Sequence, residues 1–177
     1  SATFGVPRLS KEHKKSEETI GRQVRYQWLN EIAQSEGYDY ISVAHHKDDQ
    51  AESILAHIIR GSGLNGLTGM SVVQSEYAIP VVRPLLDVTK ENLLAYIRTK
   101  QISYCVDSTN DDVRYQRNRI RHRIIPELEA VNPAVVDAIV RLGSSVNEEV
   151  MVNSDLTSRT LDKLVTIGEE EVRISRR

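Results

Sequence analysis

The sequence predicts an α/β fold, a parallel sheet flanked by helices, with a helical extension toward its carboxyl-terminal end. A helix, a short apolar strand and a second helix follow one another across residues 17–60, which is half of a doubly wound pattern. The strand ends in His45-His46 and the second helix opens with Asp48-Asp49 and Glu52, at the carboxyl end of a strand where open α/β sheets bind ligands. Beyond Pro133 the pattern is mainly helical to about Leu164.

Each element has its own signal. The opening segment to about Ser16 is polar and includes Lys11-Glu12-His13-Lys14-Lys15, which reads as a solvated loop. From Glu17, the spacing of Ile20, Val24, Leu29 and Ile32, with Tyr26 and Trp28, predicts a helix that stops near Gly37. Residues 38–44 are short, β-branched and aromatic, as in a buried strand. In the next helix the 3.6-residue period puts Ala51, Ile54, Leu55, Ile58 and Ile59 on a core-facing side. Asp49, Glu52, Ser53, Ala56 and Arg60 share the adjoining stripe, and a glycine-rich loop follows at residues 61–70. Residues 77–82 read as a strand closed by Arg83-Pro84, and Thr89 caps a helix carrying Leu93, Leu94 and Ile97 toward the core. Residues 104–106 are a short extended piece and residues 107–112 are turn chemistry. A third helix starts near Arg114 and stops at or before Pro126. Val135, Val136, Ile139, Val140 and Leu142 open the extension, and a strand is expected in residues 165–174. The organisation predicted is a partial catalytic domain over residues 1–125 and a mainly helical extension or linker over residues 126–177.

A chain of 177 residues can hold one domain and a helical appendage. With 40% hydrophobic and 27% charged residues it is not a disordered polymer. The single cysteine, Cys105, excludes a disulfide framework or a cysteine metal cluster within one chain. Ser1-Ala2-Thr3-Phe4-Gly5 lacks a signal-peptide core, and no apolar run approaches the roughly 20 residues of a membrane span. Cytoplasmic residence without a membrane partner is the expectation. The net charge of −2 gives no global attraction to nucleic acid, yet Arg114, Arg117, Arg119, Arg121 and Arg123 place five arginines in ten residues. Such local basicity is what a phosphate backbone meets.

Taken singly, these residues also admit plain readings. Asp48 and Asp49 suit a helix first turn through the dipole alone. An arginine-rich helix can be a solvated face, and Gly61-Ser62-Gly63 can serve a chain reversal that needs positive φ. Their combination in one stretch is the layout of an active site.

Along the chain, Arg22-Gln23-Val24-Arg25-Tyr26, His45-His46-x-Asp48-Asp49-Gln50-Ala51-Glu52 and Arg60-Gly61-Ser62-Gly63-Leu64-x-Gly66-Leu67-x-Gly69-Met70 occur in order. Arg83-Pro84-Leu85-Leu86, Asp107-x-x-Asn110 and Arg117-Asn118-x-Ile120-Arg121 follow. Over residues 6–133 this series resembles the tRNA(Ile)-lysidine synthases. The resemblance implies an N-type ATP pyrophosphatase (PP-loop) domain with a Rossmann-like parallel sheet. It implies adenylation, by ATP, of carbon 2 of the cytosine at the first anticodon position of tRNA(Ile) with a CAU anticodon. The side-chain amine of L-lysine then displaces AMP to give lysidine. A homodimer is a further expectation.

The chemistry of the residues is compatible with that reaction, because in-line attack on an α-phosphate needs magnesium and cations to hold the developing charge. Asp49 and Glu52 could bind magnesium or hold and deprotonate the lysine ammonium. His45 is a candidate for substrate contact or proton transfer. Asp48 is expected to cap its helix and His57 to be structural. Gly61, Ser62 and Gly63 would let backbone amides approach a phosphate or base, with Arg60 the functional cation beside them. Arg22 and Arg25 are expected to contact ATP or tRNA phosphates. Arg117 and Arg121, four apart on one face, could clamp phosphates bidentately, with Asn118 on ribose or base.

The family's Ser-Gly-Gly-x-Asp-Ser phosphate loop, which follows its first strand and grips the pyrophosphate of ATP, does not occur in residues 1–38. Gly61-Ser62-Gly63 follows a helix and cannot replace it. The expectation is a portion of a longer chain, with a degenerate relative as the alternative; in either case ATP binding by these residues alone is in doubt, and the family's carboxyl-terminal tRNA-binding domains are also outside it. Two other readings stay open here: a metal-dependent hydrolase built on His45, His46, Asp48, Asp49 and Glu52, and a non-enzymatic tRNA-binding module built on the arginine cluster. The related tRNA thiolases typically need paired cysteines, and Cys105 stands alone.

Overall fold

The computed structural model describes residues 4–14, 16–105, 115–167 and 172–174. They form two units, Ser1–His45 with Ser71–Leu85, and His46–Met70 with Leu86–Arg177.

In the first unit, α1 (Val6–His13) and α2 (Glu17–Glu36) accompany β1 (Ile41–Ser42), β2 (Val73–Gln74) and β3 (Val81–Val82). Residues 6–13 are helical rather than a solvated loop: Pro7 suits the first turn, and Val6 lies against α2 at Gly21. Ser16 caps α2 through the Thr19 amide, and Gly37, at φ 71°, closes it by donating to Ala33 and Gln34 carbonyls. β1 and β3 are parallel with Ile41 opposite Val81, while β2 runs antiparallel to β3. The sheet is therefore mixed, with strand order β1-β3-β2. Both predicted strands are shorter than expected, because Tyr38 and Tyr40 are exposed and only Ile41 and Ser42 find a ladder partner. Tyr26, Ala33, Ile41 and Val81 form the core, with Leu29, Val43, Tyr77 and Ile79 packed against it. Asn30 supplies the peptide pairing that a strand would otherwise give Ile79, its Nδ2 donating to the Ile79 carbonyl at 2.9 Å and its Oδ1 accepting from the Ile79 amide at 3.3 Å.

The second unit contains α3 (Lys47–Ile59), α4 (Leu64–Leu67), α5 (Lys90–Thr99), α6 (Gln116–Arg119), a π-helical segment (Ile120–Ile124), α7 (Ile125–Val131), α8 (Val135–Leu164) and the hairpin β4 (Val165–Ile167) and β5 (Val172–Ile174). Ala51 and Ile54 of α3 are buried with Ile139 of α8, flanked by Leu55, Val135, Val136 and Val140. A Cβ on Gly143 would lie 2.6 Å from Ile54 Cδ1 and 3.2 Å from the Leu67 carbonyl oxygen, so the approach of α8 depends on that glycine. Ile58 and Ile59, expected in the core, are exposed in the last turn of α3. Thr89 caps α5 as predicted, and Leu93, Leu94 and Ile97 are half-buried. The helix from Gln116 does not stop at Pro126. The Ile125 amide reaches back five residues to the Ile120 carbonyl, and this wider turn makes room for a ring that an α-helix would press on the carbonyl four residues earlier. The expected turn at residues 107–112, with Asp107 and Asn110, and Arg114 lie outside the described residues.

Candidate active site

Two carboxylates and two guanidiniums converge on the buried side of α3. Asp49 and Glu52 are three residues apart and share a helical face, as the periodicity predicts, with Glu52 only 1% exposed. Arg117 comes from α6 and Arg121 from the π segment, again on one face. Arg117 donates from Nε to Glu52 Oε2 at 2.8 Å and from Nη2 to Asp49 Oδ1 at 2.7 Å. Arg121 donates from Nε to Glu52 Oε1 at 2.6 Å, and from Nη2 to Glu52 Oε2 at 2.9 Å and Asp49 Oδ1 at 3.0 Å. Each guanidinium thus spans both acids, and forked, charge-assisted bonds of this kind are the strong ones. Burial works against the charge on Arg121, but the hydrogen bond and charge of Glu52, with Asp49 and Asp48 behind it, outweigh that and raise its pKa.

The start of α3 is held by a reciprocal cap. The His46 amide donates to Asp49 Oδ2 at 3.0 Å, and His46 Nε2 lies 3.4 Å from the same oxygen. Asp48 does not cap α3, contrary to the expectation from sequence. Its Oδ2 accepts from the Lys90 amide at 2.8 Å, so it caps α5 from 42 positions upstream. The His46 ring, 3.4 Å away, and the Lys90 amide hold the Asp48 carboxyl at about 2 against the opposing effect of burial.

The glycine loop is organised from below. His57 Nδ1 is 3.1 Å from Ser62 Oγ, in keeping with a structural His57, and burial followed by the Arg60 charge lowers the His57 pKa. Gly61 has φ 72°, Gly63 precedes α4, and Arg60 is exposed at the end of α3. A Cβ on Gly66 would fall 2.5 Å from Ser62 Cβ and 2.9 Å from His57 Nδ1, so the loop closes only over glycine. Gln50 clasps its far end, donating to the Met70 carbonyl at 3.0 Å and accepting from the Met70 amide at 2.6 Å.

The structure therefore brings together Asp49, Glu52, Arg117 and Arg121. His45 is half-buried at the end of the first of the two segments that make up the first unit, and Asn118 is half-buried on α6. In the first unit, exposed Arg22 stacks over the Tyr26 ring at 5.0 Å and Arg25 is exposed. Gln50, Asn30 and Arg83 carry no local signal of their roles. Arg83 is 2% exposed and donates to the Ser71 carbonyl at 2.8 Å and to Gln74 Oε1 at 2.6 Å, which ties the segment around β2 to β3.

In this arrangement the carboxylate pair does not fit a magnesium ion. Both Glu52 oxygens and Asp49 Oδ1 accept from guanidiniums, and a divalent cation there would face two fixed positive charges. Among the described residues no group of three or more His, Cys, Asp or Glu could hold a metal, and no helix is long and apolar enough to cross a membrane.

Residues 4–128 match the family described as the PP-loop domain. The chain belongs to the PP-loop family. This PP-loop chain is 38% identical over 138 residues to the tRNA(Ile)-lysidine synthase of Porphyromonas gingivalis strain W83, covering 78% of itself and 30% of that protein. It is 41% identical over 139 residues to the tRNA(Ile)-lysidine synthase of Thermotoga maritima, covering 78% of itself and 33% of that protein. It thus spans about a third of the length of the curated relatives it matches. Among solved structures it is similar in fold to the U34-tRNA thiolase NcsA from Methanococcus maripaludis with its [4Fe-4S] cluster, at a TM-score of 0.54 and 21% identity, over 71% of this chain and 42% of that one. The Rossmann-like fold expected from sequence is that of this PP-loop family.

Proposed function

We propose that these residues belong to a tRNA(Ile)-lysidine synthase, a ligase that joins L-lysine to the cytidine at the first anticodon position of a CAU-bearing tRNA(Ile). The cytosine O2 attacks the α-phosphorus of ATP and pyrophosphate leaves. The lysine ε-amine, once deprotonated, then attacks carbon 2, the carbon–oxygen bond breaks and AMP departs. The observation that carries the reading is the Asp49–Glu52 pair, buried on the helix that follows a double histidine in a PP-loop domain.

In this reading the lysine ammonium exchanges with a guanidinium at the Asp49–Glu52 pair and gives up its proton there, Arg117 and Arg121 holding the acids in place only until lysine binds. His45 contacts substrate. Arg60, Gly61, Ser62 and Gly63, with Arg22, Arg25 and Asn118, contact ATP or tRNA. Magnesium bound with ATP would neutralise phosphate charge. Residues 1–125 are the catalytic portion and 126–177 the extension, in a cytoplasmic enzyme that works as a homodimer. The hydrolase alternative is disfavoured by carboxylates already bound to arginines.

The test uses the intact protein with ATP, lysine and tRNA(Ile), and reads lysidine by mass spectrometry of digested nucleosides. Glu52→Gln is expected to lower turnover by roughly 10²–10⁴-fold while tRNA binding stays near that of the wild type. Retained turnover sinks the assignment of Glu52, and absence of lysidine from the wild-type reaction sinks the reading.

A further inference from the structure

The helix that begins at Gln116 carries arginines on two sides. Arg117 and Arg121 turn inward onto Asp49 and Glu52. Arg119 and Arg123 each lie two residues further along, about 200° around the axis at roughly 100° per residue, and both are exposed. Among the described residues neither of these two guanidiniums has a hydrogen bond or an ion pair. Helical spacing sets such a pair one turn apart on a common face.

The two side chains border an open groove of about 460 Å³. Its floor is apolar, built from Ile59, Ile120, Ile124 and Leu128, and Gln116 adds an amide at the rim. Glu127 also lines it, which leaves two positive charges against one negative. No aromatic ring lines the groove, so bases cannot stack there as they do on single-strand platforms. What the groove offers is two exposed positive charges, suited to phosphates and indifferent to sequence.

We propose that this groove docks the phosphate backbone of tRNA through Arg119 and Arg123, a contact separate from the inward-facing Arg117 and Arg121. The proposal rests on the synthase reading for the identity of the RNA. Its contribution is positioning, uniform across tRNA sequences.

The experiment measures binding of tRNA(Ile) and of a non-cognate tRNA to the intact protein between 0.05 and 0.2 M KCl. The double variant Arg119→Ala/Arg123→Ala is expected to bind both RNAs roughly tenfold more weakly at 0.1 M salt, with the log–log salt slope smaller by about 1.5–2. The pair Arg119→Lys/Arg123→Lys is expected to restore the slope, since lysine keeps the point charge. Unchanged affinity and slope, a loss confined to the cognate tRNA, or a loss that lysine does not rescue each overturns the proposal; a groove made for an acidic peptide gives the first of these. If the wild type makes lysidine while the alanine pair binds tRNA normally, the groove assignment alone falls. If the wild type makes none while the alanine pair loses tRNA affinity, the groove stands and the synthase reading falls.

Discussion

Asn30 in the first unit and the Asp49–Glu52 pair in the second both place polar groups under cover, by opposite means. Asn30 is neutral and matches one peptide, donor to acceptor and acceptor to donor, beside stacked tyrosines whose centroids are 5.5 Å apart. Nothing more is needed to explain it, since a buried amide with its bonds made is a settled structural element. The acids are held instead by two arginines from elements 65 to 72 positions away. Apolar residues of similar volume would serve stability as well as a buried ion cluster does, and often better. The contrast separates the part of the chain that the fold explains from the part that calls for chemistry.

The largest effect is expected at the charged end of that contrast. Glu52→Gln leaves two guanidiniums facing one acid and should cost about 3 kcal/mol, read as a lower urea midpoint; a shift below about 1 kcal/mol would erase the distinction between the units. Asn30→Ala strips both partners from the Ile79 peptide and should cost about 2 kcal/mol. Because no charge is involved, that loss should be the same at pH 5 and pH 8, and a pH-dependent loss would contradict the neutral description.

Asp48 sharpens the comparison through acid. Its folded pKa of about 2 lies below the ordinary 3.8, so its contribution is complete above pH 3.8 and disappears as the pH falls through about 2. With a side chain 33% exposed, the amount is about 1–2 kcal/mol after allowance for solvent screening. Urea midpoints from pH 5 down to pH 2 should fall less steeply in Asp48→Asn than in the wild type; parallel curves would remove Asp48 from the account. The smallest effect belongs to Gln50→Ala, about 1 kcal/mol, because Gln50 is half-buried and water can replace part of what it gives Met70. A loss as large as that of Asn30→Ala would mean that the glycine loop is as rigid as the first unit's core.

Where chemistry is local, the sequence shows it. The end of α2 follows from Gly37 and the start of α5 from Thr89. The acidic stripe of α3 is likewise readable from spacing. What sequence conceals is partnership at a distance: no local pattern says that Arg117 and Arg121 meet carboxylates rather than face outward, or that Asp48 caps α5. The strands are shorter than the sequence predicts because β-branched runs mark apolar chain, whereas a ladder also needs a neighbour, and only Ile41 and Ser42 have one in β3. Pro126 does not stop its helix because the rule against proline inside a helix assumes the α register.

That register is where the π segment has a genealogical meaning. A helix that gains one residue can absorb it as a single wide turn, leaving the stretches before and after it in phase. Such an extra residue is ordinarily free to be lost again, the turn simply tightening. Here tightening would drive the Pro126 ring against the carbonyl of His122, four residues earlier, so the proline works as a ratchet: once both are present, shortening the segment is penalised until Pro126 itself is replaced. Pro126→Ala combined with deletion of one residue of the segment is the change that would release it, visible as an Ile125 amide bonded four residues back instead of five.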